Sequence, residues 1–506
     1  MRSLLRGLAV FTFAFLFSLE FWSLYMAQDD EAVVVVGARR ILDGEAIYRD
    51  WDTHLSPGSF LLGALWFGLL GFQAPTTRLA FACVFGLTAV IIDLAAQRCF
   101  KGRWQWLPTL LWGTCGILEF PILSYHWLAS GMAVCTLWRG LVWVDEPSRR
   151  NALLLGAAVA GAGWCLQSEG LVAVLMVILW TVRFRLRSVI WVVLGCLLAS
   201  LLLWLPVCRE WALIVEQNAA LGKHLRFNHK PYSLANLTFF LSHYEGLSLS
   251  QGVVAFGAGA SHIFINVLRY VGFPVLLLWT GWSCERSRDR TGAALVYGML
   301  GWVLGTANRQ TLLYVSFLNP GWVLLITLGL RRLPGGRYWA LVLAGLEVLG
   351  WTARFALKQQ IYSYPLSTRS GVYYLADPQR AQALTTIYSW LRELPPQTPI
   401  LAFPYAVSFY SLENLKNPIR RQTLIPFLDP PAAFESARAE LQAKKVPWIL
   451  YLAPGAAEIE GETGIPAEML NQAWEEARRQ LTQGYRLRRD LGGASLYERD
   501  PGADSQ

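Results

Sequence analysis

Apolar stretches of about 20 residues, the length that crosses a bilayer, recur from the N-terminus to residue 357 and limit what this chain can become. A helix apolar on every face has no stable place in water. In lipid its backbone groups pair internally and its side chains meet hydrocarbon. Eleven such stretches are expected to span, at 4–27, 77–97, 104–122, 127–144, 151–166, 170–182, 188–208, 262–282, 291–307, 311–329 and 338–357. With 54% hydrophobic and 16% charged residues in 506, the chain is too apolar for an ordinary soluble enzyme. The first stretch reads as a retained span, because it is long and the acidic Gln28–Glu31 segment follows without a small-residue cleavage site. The eight cysteines fall in or beside the apolar stretches, with no CxxC pair and no zinc spacing, so they read as small buried hydrophobes.

The net charge of +9 does not point to nucleic acid. From Lys358 onward 16 basic residues balance 16 acidic ones, and the excess, 28 against 19, lies wholly in residues 1–357. Basic residues concentrated in short loops between apolar stretches orient a membrane protein with those loops in the cytoplasm. Residues 55–72 decide the parity. If they do not span, the loops at Arg98–Arg103, Arg149–Arg150, Arg183–Arg187, Arg286–Arg290 and Arg331–Arg337 all face inward with Arg2 and Arg6; if they span, all later ones flip. The first choice obeys the rule throughout. It makes 55–72 an apolar helix at the outer interface, the N-terminus cytoplasmic and the C-terminus extracytoplasmic. The expected fold is therefore mainly α: about 11 transmembrane helices in residues 1–357, outer loops at 28–76 and 209–261, and an extracytoplasmic α/β domain at 358–506. In that domain 377–394, 431–445 and 466–483 read as helices, 399–404 and 446–452 as buried strands, and 485–498 as a hairpin.

Polar chemistry gathers on the outer face. Asp29, Asp30 and Glu31 stand where the first span leaves the bilayer. Asp30 can cap the helix expected from Glu31 to Asp43, but capping needs one acid and here there are three. Arg49, Asp50, Asp52 and His54 follow, just before a Pro57–Gly58 turn; the same residues also suit a solvated Asp-rich turn. His126 lies in the next outer turn, Glu169 in another between Gln167 and Gly170. Cations able to meet a phosphate are Lys223, His224, Arg226, His229 and Lys230 in the long loop, and Arg309 in a tight outer turn, against its topological preference. The loop cluster equally suits anionic lipid, and Arg309 equally suits snorkelling to headgroups.

Asp30–Glu31, Arg40–Gly44, Tyr48–Asp50 and His54–Gly58, set after a first span and before an interfacial helix, resemble the polytopic GT-C glycosyltransferases. That group includes the protein O-mannosyltransferases and the aminoarabinose transferase of lipid A. The resemblance implies a sugar carried on polyprenyl phosphate and transferred outside the cytoplasm to a lipid, glycan or protein acceptor. It implies Asp30 as catalytic base with Glu31 beside it. Many relatives place a second Asp in the next outer loop. Here Tyr125, His126 and Ser130 stand there, with Glu119 just inside, so the second-acid role and any metal it would hold are left open. His126 is able to bind acceptor or phosphate, or to act with Asp30. No cofactor is required by the sequence, and a divalent cation is possible but no ligand spacing demands one. The rival class is a transporter or flippase for a lipid-linked or anionic substrate; it is disfavoured because the chain shows no internal repeat and few ionisable residues within spans. A scaffold role leaves the 28–58 cluster unexplained. A bacterial inner membrane fits a cell-envelope enzyme of this kind.

Overall fold

The computed structural model describes residues 2–19, 22–23, 29–53, 55–115, 122–224, 272–306, 320–375, 377–404, 406–425, 429, 431–453, 466–491 and 493–502. Helix α1 (Arg2–Ser18) precedes α2 (Asp29–Leu42), and a loop leads to α3 (Gly58–Leu70) and α4 (Ala74–Cys99). The helices α5 (Leu107–Cys115), α6 (Tyr125–Asp145), α7 (Arg149–Cys165), α8 (Gln167–Phe184), α9 (Val189–Trp204) and α10 (Trp211–His224) follow. After the undescribed 225–271 come α11 (Gly272–Ser287), α12 (Arg290–Thr306), α13 (Trp322–Arg332) and α14 (Gly336–Ile361).

Each expected span overlaps one of these helices, but the described residues do not establish the expected count of about 11. Among the described residues four stretches are long and apolar enough to cross a membrane: Ala74–Cys99, Tyr125–Asp145, Gln167–Phe184 and Val189–Gln217. Most of the others are shorter, although α14 runs 26 residues. A 17-residue helix such as α1 extends only about 26 Å at 1.5 Å per residue, against a hydrocarbon core of about 30 Å. Helix α3, at 13 residues, reaches about 20 Å, which suits the expected non-spanning role of 55–72.

The bundle core is built on rings. Phe85 stacks on Trp112 at 5.0 Å, and Trp127 meets Phe81, Phe85 and Trp112 edge-on at 5.6, 6.0 and 5.8 Å, tying α4, α5 and α6 together. Helices α7 and α9 pack backbone to backbone. A Cβ on Gly156 would meet the Val192 carbonyl, and one on Gly195 the Leu153 carbonyl, so only glycine permits this approach.

The remaining chain forms a hairpin, β1 (Tyr364–Ser367) with β2 (Val372–Leu375), then α15 (Pro378–Glu393), β3 (Ile400–Phe403), α16 (Val407–Glu413), α17 (Pro431–Ala443), β4 (Trp448–Leu452), α18 (Ala467–Leu481), β5 (Tyr485–Asp490) and β6 (Ala494–Arg499). The second sheet runs β3-β4-β6-β5, parallel between β3 and β4 and antiparallel elsewhere. Helix α17 buries Ala433, Phe434, Ala437 and Leu441, and α18 buries Leu470, Trp474, Ala477 and Leu481. Both sets follow the three-and-four spacing of one helical face.

This C-terminal part sits on α2 and the loop after it. Gln422 Nε2 donates to the Val33 carbonyl at 2.6 Å, and both Arg40 terminal nitrogens donate to the Ile419 carbonyl at 3.1 and 3.2 Å. Arg39 Nη1 donates to the Tyr410 carbonyl at 3.4 Å. Arg40 also pairs with Glu45 at 2.6 Å, across the turn where Gly44 takes φ +88° and ends α2.

Candidate active site

Helix α2 starts at Asp29, so Asp30 and Glu31 lie inside its first turn and Asp30 is not the cap considered from sequence. Carboxylates are favoured there by the positive end of the helix. Helix α6 starts at Tyr125 and α4 at Ala74, and all three N-terminal turns meet. Tyr125 Oη donates to Asp30 Oδ1 at 3.1 Å. His126 Nε2 lies 3.8 Å from Asp30 Oδ2, and its ring sits 4.3 Å from that of Tyr125. Arg78 of α4 pairs with Glu31 at 2.8 Å, both nearly out of solvent, and the Leu123 backbone N–H also donates to Glu31.

The two acids are thus separated in role. Burial raises both carboxyls above the usual range. For Glu31 the Arg78 charge and the Leu123 N–H oppose the rise. Among the described residues no arginine stands against Asp30; burial pushes it up to about 6, opposed by the Tyr125 hydroxyl. Its side chain keeps 20% exposure, so it is still approachable. A carboxylate titrating there is ionised at neutral pH and far more basic than a surface aspartate, as a general base requires.

Other expected site residues are placed elsewhere or lie outside the described residues. Arg49 clamps Asp50 in a two-point pair at 3.0 and 2.9 Å, and Asp50 accepts from the Ala46 N–H; these bonds hold it down to about 2. Asp52 Oδ1 accepts from Arg420 at 3.0 Å and Gln217 at 3.1 Å, tying the loop to the C-terminal part and to α10. Glu169 is fully buried in the first turn of α8. Beside that turn, Ser56 Oγ donates to the Gly163 carbonyl at 2.8 Å. Lys223 is in α10; its side chain, that of Asp29, and all of His54, Arg226 and Arg309 lie outside the described residues. Among the described residues no three His, Cys, Asp or Glu side chains converge to hold a metal.

Sequence reasoning did not single out Arg78 or Tyr125. The signal for Arg78 was its position: a cation at the outer end of an expected span, against the charge rule and on the same face as the acidic cluster.

No known protein family profile matches the sequence, and no curated protein does. Solved structures do match in fold. ArnT from Cupriavidus metallidurans, bound to undecaprenyl phosphate, aligns with TM-score 0.56 over 99% of this chain and 98% of its own at 14% identity. The oligosaccharyltransferase of Archaeoglobus fulgidus, in complex with Zn and sulfate, aligns with TM-score 0.53 over 97% of this chain and 73% of its own at 13% identity. The archaeal oligosaccharyltransferase AglB, with an inhibitory peptide and a dolichol-phosphate, gives 0.51 over 98% and 74% at 12% identity. The chain has the fold of the GT-C membrane glycosyltransferases. The motifs at 30–58 resemble that group, and the whole chain shares its fold. The fold spans essentially the full length of this chain, C-terminal sheet included.

Proposed function

We propose that this protein is a membrane glycosyltransferase that moves a sugar from a polyprenyl-phosphate donor to a hydroxyl or amine on a lipid, glycan or protein acceptor. Residues 1–357 form the catalytic membrane part. Residues 358–506 form an extracytoplasmic domain that braces α2, and the reaction takes place on that side of the membrane. One observation carries the reading: Asp30, raised to about 6, approachable, and oriented by Tyr125 where three helix N-termini meet. The fold supports it, since ArnT and AglB of the same fold are bound to undecaprenyl phosphate and dolichol phosphate.

In the proposed step the Asp30 carboxylate accepts the proton of the acceptor hydroxyl. The acceptor oxygen bonds to the anomeric carbon, and the bond from that carbon to the phosphate oxygen breaks. The polyprenyl phosphate departs with the electron pair as an anion. Glu31, neutralised by Arg78, keeps the first turn of α2 in place, and His126 meets the acceptor or the departing phosphate. Lys223, Arg226 and Arg309 are assigned to the donor phosphate, and Asp29 and His54 to substrate, on the sequence reading; Arg49 holds Asp50, and Glu169 is buried in α8. Asp50 and Asp52 shape the loop. No step is assigned to a metal.

Purified protein in proteoliposomes, given a radiolabelled polyprenyl-phosphate sugar and cell-envelope acceptors, is expected to release polyprenyl phosphate and label the acceptor. Label that crosses to the opposite leaflet with the sugar–phosphate bond intact would instead establish the transporter reading.

A further inference from the structure

Helices α4 and α6 run from the Asp30 site to the opposite end of the bundle, where a second cluster of charge is found. There a cavity of about 580 Å³ opens between α4, α6 and the start of α7, walled by Arg98, Arg139, Arg150, Glu146, Asn151 and Trp138. Three guanidinium groups face it and one carboxylate. Arg98 takes that carboxylate, pairing with Glu146 at 2.8 Å. Arg139 is held in place: its Nη2 donates to Asn151 Oδ1 at 3.2 Å and its Cζ lies 5.0 Å from the centre of the Trp138 ring. Its Nε is buried and finds no acceptor among the described residues. Arg98 and Arg150 are near enough to repel it. A guanidinium fixed by an amide, stacked on a ring, short of an acceptor and crowded by like charge lacks an anion. The first turn of α7, capped by Ser148 at 3.2 Å from the Asn151 N–H, adds the positive end of a helix to the same space.

We propose that this cavity binds a phosphate oxyanion between Arg139 and Arg150. Two sources share that chemistry: the phosphodiester headgroup of an anionic phospholipid in the leaflet at this end, or free inorganic phosphate. Leu94 and Leu154 line the same cavity, so an acyl chain has an apolar wall to follow. The site is at the far end of the bundle from Asp30, and the proposal does not rest on the glycosyltransferase reading.

The test uses the full-length protein purified in a neutral detergent. Binding of phosphatidylglycerol, phosphatidylcholine and inorganic phosphate is measured separately by native mass spectrometry and titration calorimetry. Native protein is expected to retain phosphatidylglycerol and not phosphatidylcholine. Arg139→Gln and Arg150→Gln should each bind it about tenfold or more weakly, since one charge-assisted contact is worth about 1.5–3 kcal/mol. Arg103→Gln, a cation at the same end but outside the cavity, should bind normally. Phosphate bound in place of the lipid, and weakened by the same two variants, supports the site with the soluble source. If Arg139→Gln does not fold, Arg150→Gln decides alone, because Arg150 is exposed. Equal binding by native, Arg150→Gln and Arg103→Gln proteins, or no binding of either probe, overturns the proposal.

Discussion

Burial lifts the Asp30 carboxyl from 3.8 to about 6, so its ionised form is poorly accommodated in the folded protein. The sign follows from proton linkage. The folded state holds this proton more tightly than the unfolded chain, so stability falls as pH rises between about 4 and about 6, and above that the whole cost, about 3 kcal/mol, is present. Asp30→Asn removes the cost and keeps the oxygen that accepts from Tyr125. It is expected to lower turnover by about 10²–10⁴-fold while unfolding, at pH 7.5, no earlier than the native protein. Native kcat/KM is expected to decline as pH drops through about 6, where the base becomes protonated. Normal turnover by the folded Asn variant would reduce Asp30 to a helix-end charge. Arg78 behaves in the opposite way. Arg78→Gln strands a buried Glu31 carboxylate and should destabilise by about 3–5 kcal/mol. Adding Glu31→Gln should recover most of that loss, which thermal melts of the single and double variants will show.

At the scale of elements, α2 is held from outside as much as by its own hydrogen bonds. Its Val33 carbonyl, Arg39 and Arg40 all bond to the segment 410–422, and Asp52 of the following loop bonds to Arg420. The position of Asp30 therefore depends on the C-terminal sheet domain. Arg40 is 8% exposed, and Arg40→Ala leaves Glu45 and the Ile419 carbonyl without their donor. A cost of about 1.5–3 kcal/mol is expected, with faster hydrogen exchange in 29–42 and 419–425 together. A fall in kcat larger than the change in donor KM should accompany it, because the variant displaces the proposed base, Asp30, and leaves the proposed donor cations untouched.

For the whole molecule, the fold is shared with enzymes bound to polyprenyl and dolichol phosphates, and the charge pattern gives it a direction. The proposed orientation puts the basic loops inside and everything after about residue 358 outside. A reporter that fluoresces only in the cytoplasm, fused after Gln506, should stay dark, whereas one active only outside should work. A bright cytoplasmic fusion would reverse the orientation and move the proposed chemistry to the other face. Such reversal would leave the Arg139 cavity and the Asp30 site at opposite ends as before, since α4 and α6 connect them.

The chain's apolar stretches and its loop charges declared a helical membrane protein, because a bilayer leaves a long apolar segment few alternatives to a helix. The helices and strands of the C-terminal part were equally plain: 377–394 and 431–445 show the 3.6-residue period that amphipathic packing imposes, and 446–452 is a short continuous apolar run that forms the buried strand β4. The Asp30–Glu31 pair stood out as an excess of acids at one helix start. What composition and spacing did not contain was the division of labour between the two. Arg78, 47 positions beyond Glu31, comes to one acid and not the other, and Tyr125 reaches Asp30 from a third helix. Nor did they contain the use of Arg40, Asp52 and Gln422 as struts between the membrane part and the sheet domain. Local patterns are written by local physics, repeating within a few residues. Charge pairing and desolvation depend on which distant segments end beside each other, and only the folded chain decides that.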